Sequence, residues 1–314
     1  MDIEQPIDFI DYAEGEYSLW DKFTSLQYEP EGLLQLLVLV LVFIAAKFVF
    51  RGFILSGKKS IKPEATNIAY SISAFSLFIS LALILTSVVY GDVTTSTSQA
   101  IAKILTYAGV GIAMLVASGF IFDKIALNQI NLSKAISEGN ESAAIVDGGN
   151  FFASALIISA VLTWEEFKSI DSIIAILSLY IVSQLILTVA TLIRTALFNN
   201  EKKSVLFHEQ IKNNNKAAAI DFAGRRIATA FAITSATNLL SYSGDYDLYQ
   251  VLIEWTAVSI IMVILLNAFA WGSSKLIYFG TDISGDITKG KTTSAILDAA
   301  IYISFGIILS GTLY

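Results

Sequence analysis

Long apolar stretches leave this chain few ways to fold in water. Leu33–Ala46 carries no charge and a single polar side chain, Gln35. Windows of roughly 20 residues with few charges recur eight times, each about long enough for a helix to cross ~30 Å of hydrocarbon. They fall near Leu33–Leu55, Asn67–Tyr90, Ile101–Phe122, Ala143–Trp164, Ile170–Leu197, Ala217–Tyr242, Tyr249–Trp271 and Thr293–Leu313. Strands of a membrane barrel would alternate apolar and polar residues over ~10 positions, and these windows do not. With every backbone polar group satisfied inside its own segment, the helix is the element that remains. The expected fold is an all-α membrane protein with eight transmembrane helices.

Composition agrees: 55% of the 314 residues are apolar, 15% are charged, and the mean hydropathy is +0.66. There is no cysteine, which excludes disulfides, thiolate metal sites and cysteine nucleophiles. The single histidine, His208, lies in a polar connection and reads as a surface residue. The first 31 residues hold nine acids and one base, with no basic segment ahead of an apolar run, so a cleavable signal peptide is not expected.

Fifteen of the 20 lysines and arginines collect in the connections after the first, third, fifth and seventh windows. By the positive-inside rule those connections face the cytoplasm and both termini lie outside. Tyr28, Tyr90, Trp164, Tyr242, Tyr249, Trp255 and Tyr314 then fall near the outer interface, where amphipathic rings are favoured.

Within this frame the openings of the even-numbered windows repeat. Glu64–Ser71, Asn140–Asp147, Asn214–Asp221 and Lys291–Asp298 align at spacings of 76, 74 and 77, each with a polar start, small residues, apolar positions and a final polar residue. A period spanning two helices gives every copy the same orientation, so the expected architecture is four parallel two-helix repeats. The final residues, Ser71, Asp147, Asp221 and Asp298, should share one depth, roughly 10 Å along their helices.

The stretch Ile211–Gly224, with sequence IKNNNKAAAIDFAG, resembles the signature of the bacterial family called domain of unknown function 350, small inner-membrane proteins with four helices. The resemblance implies two such domains in tandem, at 33–165 and 166–314, behind an acidic, aromatic tail at 1–32 that is a candidate interfacial helix. It implies a fold and a location but no settled activity. Ser71 and Pro63 in the first copy depart from the pattern.

A carboxylate inside a membrane is costly unless paired, hydrated or protonated. Asp147, Asp221 and Asp298, with Ser71 as a neutral counterpart, are therefore the candidate ion or proton site; packing bonds to neighbouring helices are the structural alternative. Arg225 and Arg226 are candidate charge partners, Arg225 one turn after Asp221. Lys103 and Glu254 lie two repeat periods apart and are a candidate pseudo-twofold pair, or else reach out to water. Gly148 and Gly149 before Asn150, and Gly224, suit either close helix packing or a hydrated kink. Gly285–Thr292 matches a phosphate-loop pattern, but it sits between two membrane windows with no preceding strand, so it reads as the turn into the fourth copy.

The function expected is a channel or carrier for ions, protons or small polar solutes. The alternative is a non-transporting scaffold or envelope-stress component that acts through partners. Neither needs a cofactor, a metal or catalysis. The partners expected are the lipid bilayer, anionic lipid at the basic connection with Lys202, Lys203, Lys212 and Lys216, a second copy of the chain, and a protein bound by the acidic tail, with no role for nucleic acid.

Overall fold

The computed structural model describes residues 30–54, 67–89, 96–164, 170–201, 206–240 and 247–312. The expectations for the tail, for Glu64 and for Tyr28, Tyr90, Tyr242 and Tyr314 lie outside these residues. Every regular element among them is helical: α1 Pro30–Ile54, α2 Ile68–Val89, α3 Thr97–Ile121, α4 Leu132–Ser137, α5 Glu141–Trp164, α6 Ile170–Glu201, α7 Phe207–Lys212, α8 Lys216–Thr234, α9 Ala236–Leu239, α10 Leu248–Ile277, α11 Ile283–Thr288 and α12 Thr292–Thr312, with a π-turn at Phe122–Ala126 closing α3.

Among the described residues six helices are long and apolar enough to cross a membrane: α2, α3 with its π-turn, α5, α6, α10 and α12. The chain is therefore an all-α membrane protein, but length and apolarity do not by themselves give eight spans. In α1 the qualifying stretch is the shorter Gly32–Ala46. α8 is 19 residues long and carries Asp221, Arg225 and Arg226, so it fails on charge.

The four helices that open the repeats, α2, α5, α8 and α12, pack side by side in a row, and α1, α3, α6 and α10 flank it. Small residues set this spacing. A Cβ built on Gly149 would stand 2.8 Å from the Cα of Ala223, and one on Gly224 would stand 2.9 Å from the Cα of Ala299. α5 touches α8, and α8 touches α12, almost backbone to backbone, the approach that small residues permit in membrane helices. Gly148 likewise faces Ser76 of α2. α5 runs unbroken from Glu141 to Trp164, so these glycines serve packing rather than a kink.

An asparagine starts each of the first three row helices and ties it to the next repeat. The Oδ1 atoms of Asn67, Asn140 and Asn215 accept from the backbone N–H of Tyr70, Ala143 and Ala217, satisfying donors that a helix start leaves free. Their Nδ2 atoms donate to the carbonyls of Ile136 at 3.2 Å, Ile211 at 2.8 Å and Ile287 at 3.0 Å. Those carbonyls belong to α4, α7 and α11, the short helices that precede α5, α8 and α12. One amide thus caps its own helix and grips the turn into the following one.

The caps also correct the repeat register. Counted from its cap, the first copy begins at Asn67 and the third at Asn215, so Ser71 lies only one turn into α2. It is exposed, and its hydroxyl bonds back to Asn67 O at 3.4 Å. Trp255 faces inward: it is fully buried, stacks edge-on against Trp164 at 5.3 Å and donates to Ser183 at 3.0 Å.

Candidate functional site

The three aspartates lie at similar depths, since Asp147, Asp221 and Asp298 follow their helix starts by six, five and six residues. They do not form one ring. The row places them in line, with Asp221 and Asp298 sharing Arg225 and Asp147 apart from them.

Asp221 and Asp298 belong to one charged node between α6, α8, α10 and α12. Arg225 Nε donates to Asp221 Oδ1 at 2.9 Å, and its Nη2 donates to Asp298 Oδ2 at 2.6 Å. Arg194, reaching in from α6, donates to Asp221 Oδ2 at 2.9 Å. Ser274 of α10 donates to Asp298 Oδ1 at 3.0 Å, and the Arg225 guanidinium lies 4.2 Å from the Tyr302 ring centre, over its face. Two arginines face two aspartates, so the node is neutral and nearly every acceptor is filled. A small pocket bordered by Arg194, Thr195, Phe198, Phe207, Asp221 and Phe222 adjoins it, with room for about one water.

Asp147 sits on the face of α5 turned towards α2. Its one hydrogen-bond partner among the described residues is the Ser73 hydroxyl, which donates to Oδ2 at 2.5 Å. The hydroxyl that meets this aspartate is thus Ser73, two residues from the Ser71 the repeat pointed to.

Arg226 points the other way from its neighbour, into the junction of α3, α5, α6 and α8. It is 3% exposed. Nε and Nη2 both donate to Asn150 Oδ1, at 3.2 and 2.8 Å, and Nη1 donates to the Thr191 hydroxyl. The guanidinium lies over the Phe122 ring, 4.4 Å from its centre. No carboxylate among the described residues forms an ion pair with it, and two of its five N–H groups lack a protein acceptor. Around this junction the protein buries further polar atoms without partners among the described residues: Asn150 Nδ2, Ser154 Oγ, Thr188 Oγ1 and both amide atoms of Gln184. Asn150 and Ser154 are one turn apart on α5. Gln184, Thr188 and Thr191 share one face of α6.

The other sequence candidates lie elsewhere. Lys103 and Glu254 form no pair with each other; Glu254 accepts from Gln250 at 2.9 Å. The phosphate-like stretch forms α11 and the turn into α12, where Gly290 takes φ +82°. Its Lys291 is engaged by Asp286 at 2.7 Å, a hydrogen bond that holds the Asp286 carboxyl below its ordinary pKa. His208 contacts Glu209 at 3.0 Å on α7. Arg194, Ser73, Ser274 and Tyr302 were missed. Arg194 had a visible signal: it is an arginine three residues inside the fifth apolar window.

A family model described as Domain of Unknown Function (DUF350) matches three times, over residues 18–162, 96–234 and 167–313. The middle match crosses residue 165, taking helices from both sides of it as one unit. No curated protein and no solved structure matches the chain.

Proposed function

The chain belongs to the DUF350 family, and from that premise we propose that it is a conduit or carrier for ions, protons or small polar solutes in a bacterial inner membrane. In this reading it has eight spans and both termini outside. α8 crosses despite its three charges because Arg194 and Asp298, from α6 and α12, complete a neutral node with Asp221 and Arg225. It works without a cofactor and without catalysis.

One observation carries the reading: the unpartnered polar atoms of Asn150, Ser154, Gln184 and Thr188, buried between apolar helices. Each buried polar group left without a partner costs about 1–3 kcal/mol. A dry scaffold gains nothing from such a seam, whereas a path for water or solute supplies the missing partners. Asp221 and Asp298 act in it as a charge framework, since their oxygens are taken by arginines, and Asp147 remains the acid free of a cationic partner.

A scaffold is the second reading, favoured by those same bonded aspartates and by the close-packed row. Flux of potassium, sodium, protons and chloride into liposomes decides between them, comparing wild type with a folded Gln184→Leu, Thr188→Val variant. Flux abolished by the variant is the expected result. Flux unchanged by it removes the seam from the path, and no flux in either protein across any gradient leaves the scaffold.

A further inference from the structure

Arg226 is a buried cation with no carboxylate partner among the described residues. Taking a charge out of water costs several kcal/mol unless an opposite charge or a full set of hydrogen bonds replaces the hydration. Its neighbours Arg194 and Arg225 receive carboxylates; Arg226 receives an amide oxygen, a hydroxyl and the face of a ring. These soften the charge but do not cancel it.

What is missing around it has a consistent chemistry. Asn150 turns its carbonyl oxygen to Arg226, which leaves its Nδ2 donors with nothing to accept them. Two guanidinium N–H groups are likewise unused. Ser154 Oγ and Thr188 Oγ1 are hydroxyls without a partner, and Gln184 leaves both its Nε2 donors and its Oε1 acceptor unpaired, so amide and guanidinium donors outnumber the one unpaired carbonyl. All of these residues are at least nine-tenths buried. Asn150 lies nine residues into α5, roughly 14 Å from the helix start. From the level of Arg226, Ser154 on α5 and Thr188 and Gln184 on α6 continue towards the ends of the helices away from α4, α7 and α11. One positive charge and an excess of donors call for an acceptor that carries a negative charge.

We infer that the junction of α5, α6 and α8 is a binding site for a small monovalent anion, held by Arg226 and Asn150 and lined by Thr188, Thr191 and Ser154, with Gln184 roughly 10 Å further along α6 on the way to it. The inference rests on the conduit reading for its purpose and names the solute class of that path. Binding itself does not require transport. The site takes one charge, because Arg226 supplies one and the nearby Arg194 and Arg225 are already matched by Asp221 and Asp298. It takes a small ion, because the residues around it are each at most 5% exposed.

The test uses the full chain in detergent micelles and follows the line width of the chloride NMR signal, with nitrate as competitor and gluconate as the oversized control. Wild type is expected to broaden the signal saturably, with reversal by nitrate and not by gluconate. Arg226→Gln is expected to abolish the broadening, and Arg226→Lys to retain it with weaker binding, since the charge stays while the fork of donors is lost. If Arg226→Gln does not fold, Asn150→Leu and Thr191→Val keep the arginine and are expected to weaken binding by about tenfold or more. No broadening by the wild type, or broadening that survives all four changes, overturns the inference. Binding without flux in liposomes would keep the site and remove the conduit; flux without chloride binding would do the reverse.

Discussion

The joint between α2 and α5 and the joint between α8 and α12 are built from the same repeat, yet they handle charge differently. At the first, Asp147 meets only the Ser73 hydroxyl. At the second, Asp298 meets Arg225, which also holds Asp221, and Arg194 completes the set. The backbone contact is conserved in kind, small residue against small residue, while the chemistry laid over it is not. Repetition here specifies how helices approach one another; single substitutions then decide whether an aspartate becomes part of a neutral knot or stays without a counter-charge.

That contrast predicts a ranking of effects. Removing Arg225 is expected to do the most harm. Arg225→Gln leaves Asp221 and Asp298 facing each other with Arg194 alone, and stranding a buried charge in this way costs about 3–5 kcal/mol. Unfolding by SDS titration in mixed micelles reads this, and a loss under about 1 kcal/mol would mean that the node is wet and the contrast between the joints is only apparent.

Gly149→Ala and Gly224→Ala come next. Each places a methyl within 3 Å of a neighbouring helix's Cα, and overpacking of this kind costs about 1–3 kcal/mol. Gly119→Ala is the matched control, since its nearest neighbour is the Phe151 ring at 3.7 Å, an ordinary contact. Similar losses at all three glycines would show that close approach does not set the row, since helix propensity by itself favours alanine.

Asp147→Asn should have the smallest effect, at most about 1 kcal/mol, because the amide oxygen still accepts from Ser73 and a buried charge is relieved. Stabilisation by this change would sharpen the contrast further. A loss as large as that of Arg225→Gln would reveal a cation held at Asp147 in the native protein.

Much of this architecture is legible in the sequence because it rests on quantities that add along the chain. Apolar length marks helices, and the period of about 75 residues in Glu64–Asp298 marks the row. What sequence could not rank was the partner of each polar residue. Ser71 and Ser73 differ by two positions, which on a helix is the difference between lipid and the interior. Arg194 looked like one more basic residue near a cytoplasmic end, yet it is long enough to turn inward to Asp221. Arg225 and Arg226 are adjacent in the chain and therefore about 100° apart around α8, so one joins the aspartates and the other leaves them. Distance from a helix end gave Trp255 a depth but not a face, and the T-shaped stack on Trp164 turns it inward.

The asparagine amides give the row a direction. Asn67, Asn140 and Asn215 each reach forward to the turn that opens the following copy, so plug and socket occupy opposite sides of the two inner units. A gene segment copied in tandem would bring both halves of that fastening with it and dock without inventing new recognition. Divergence is then free to act on the residues between the joints, which is where a family assembled from identical modules would come to differ in what its members handle.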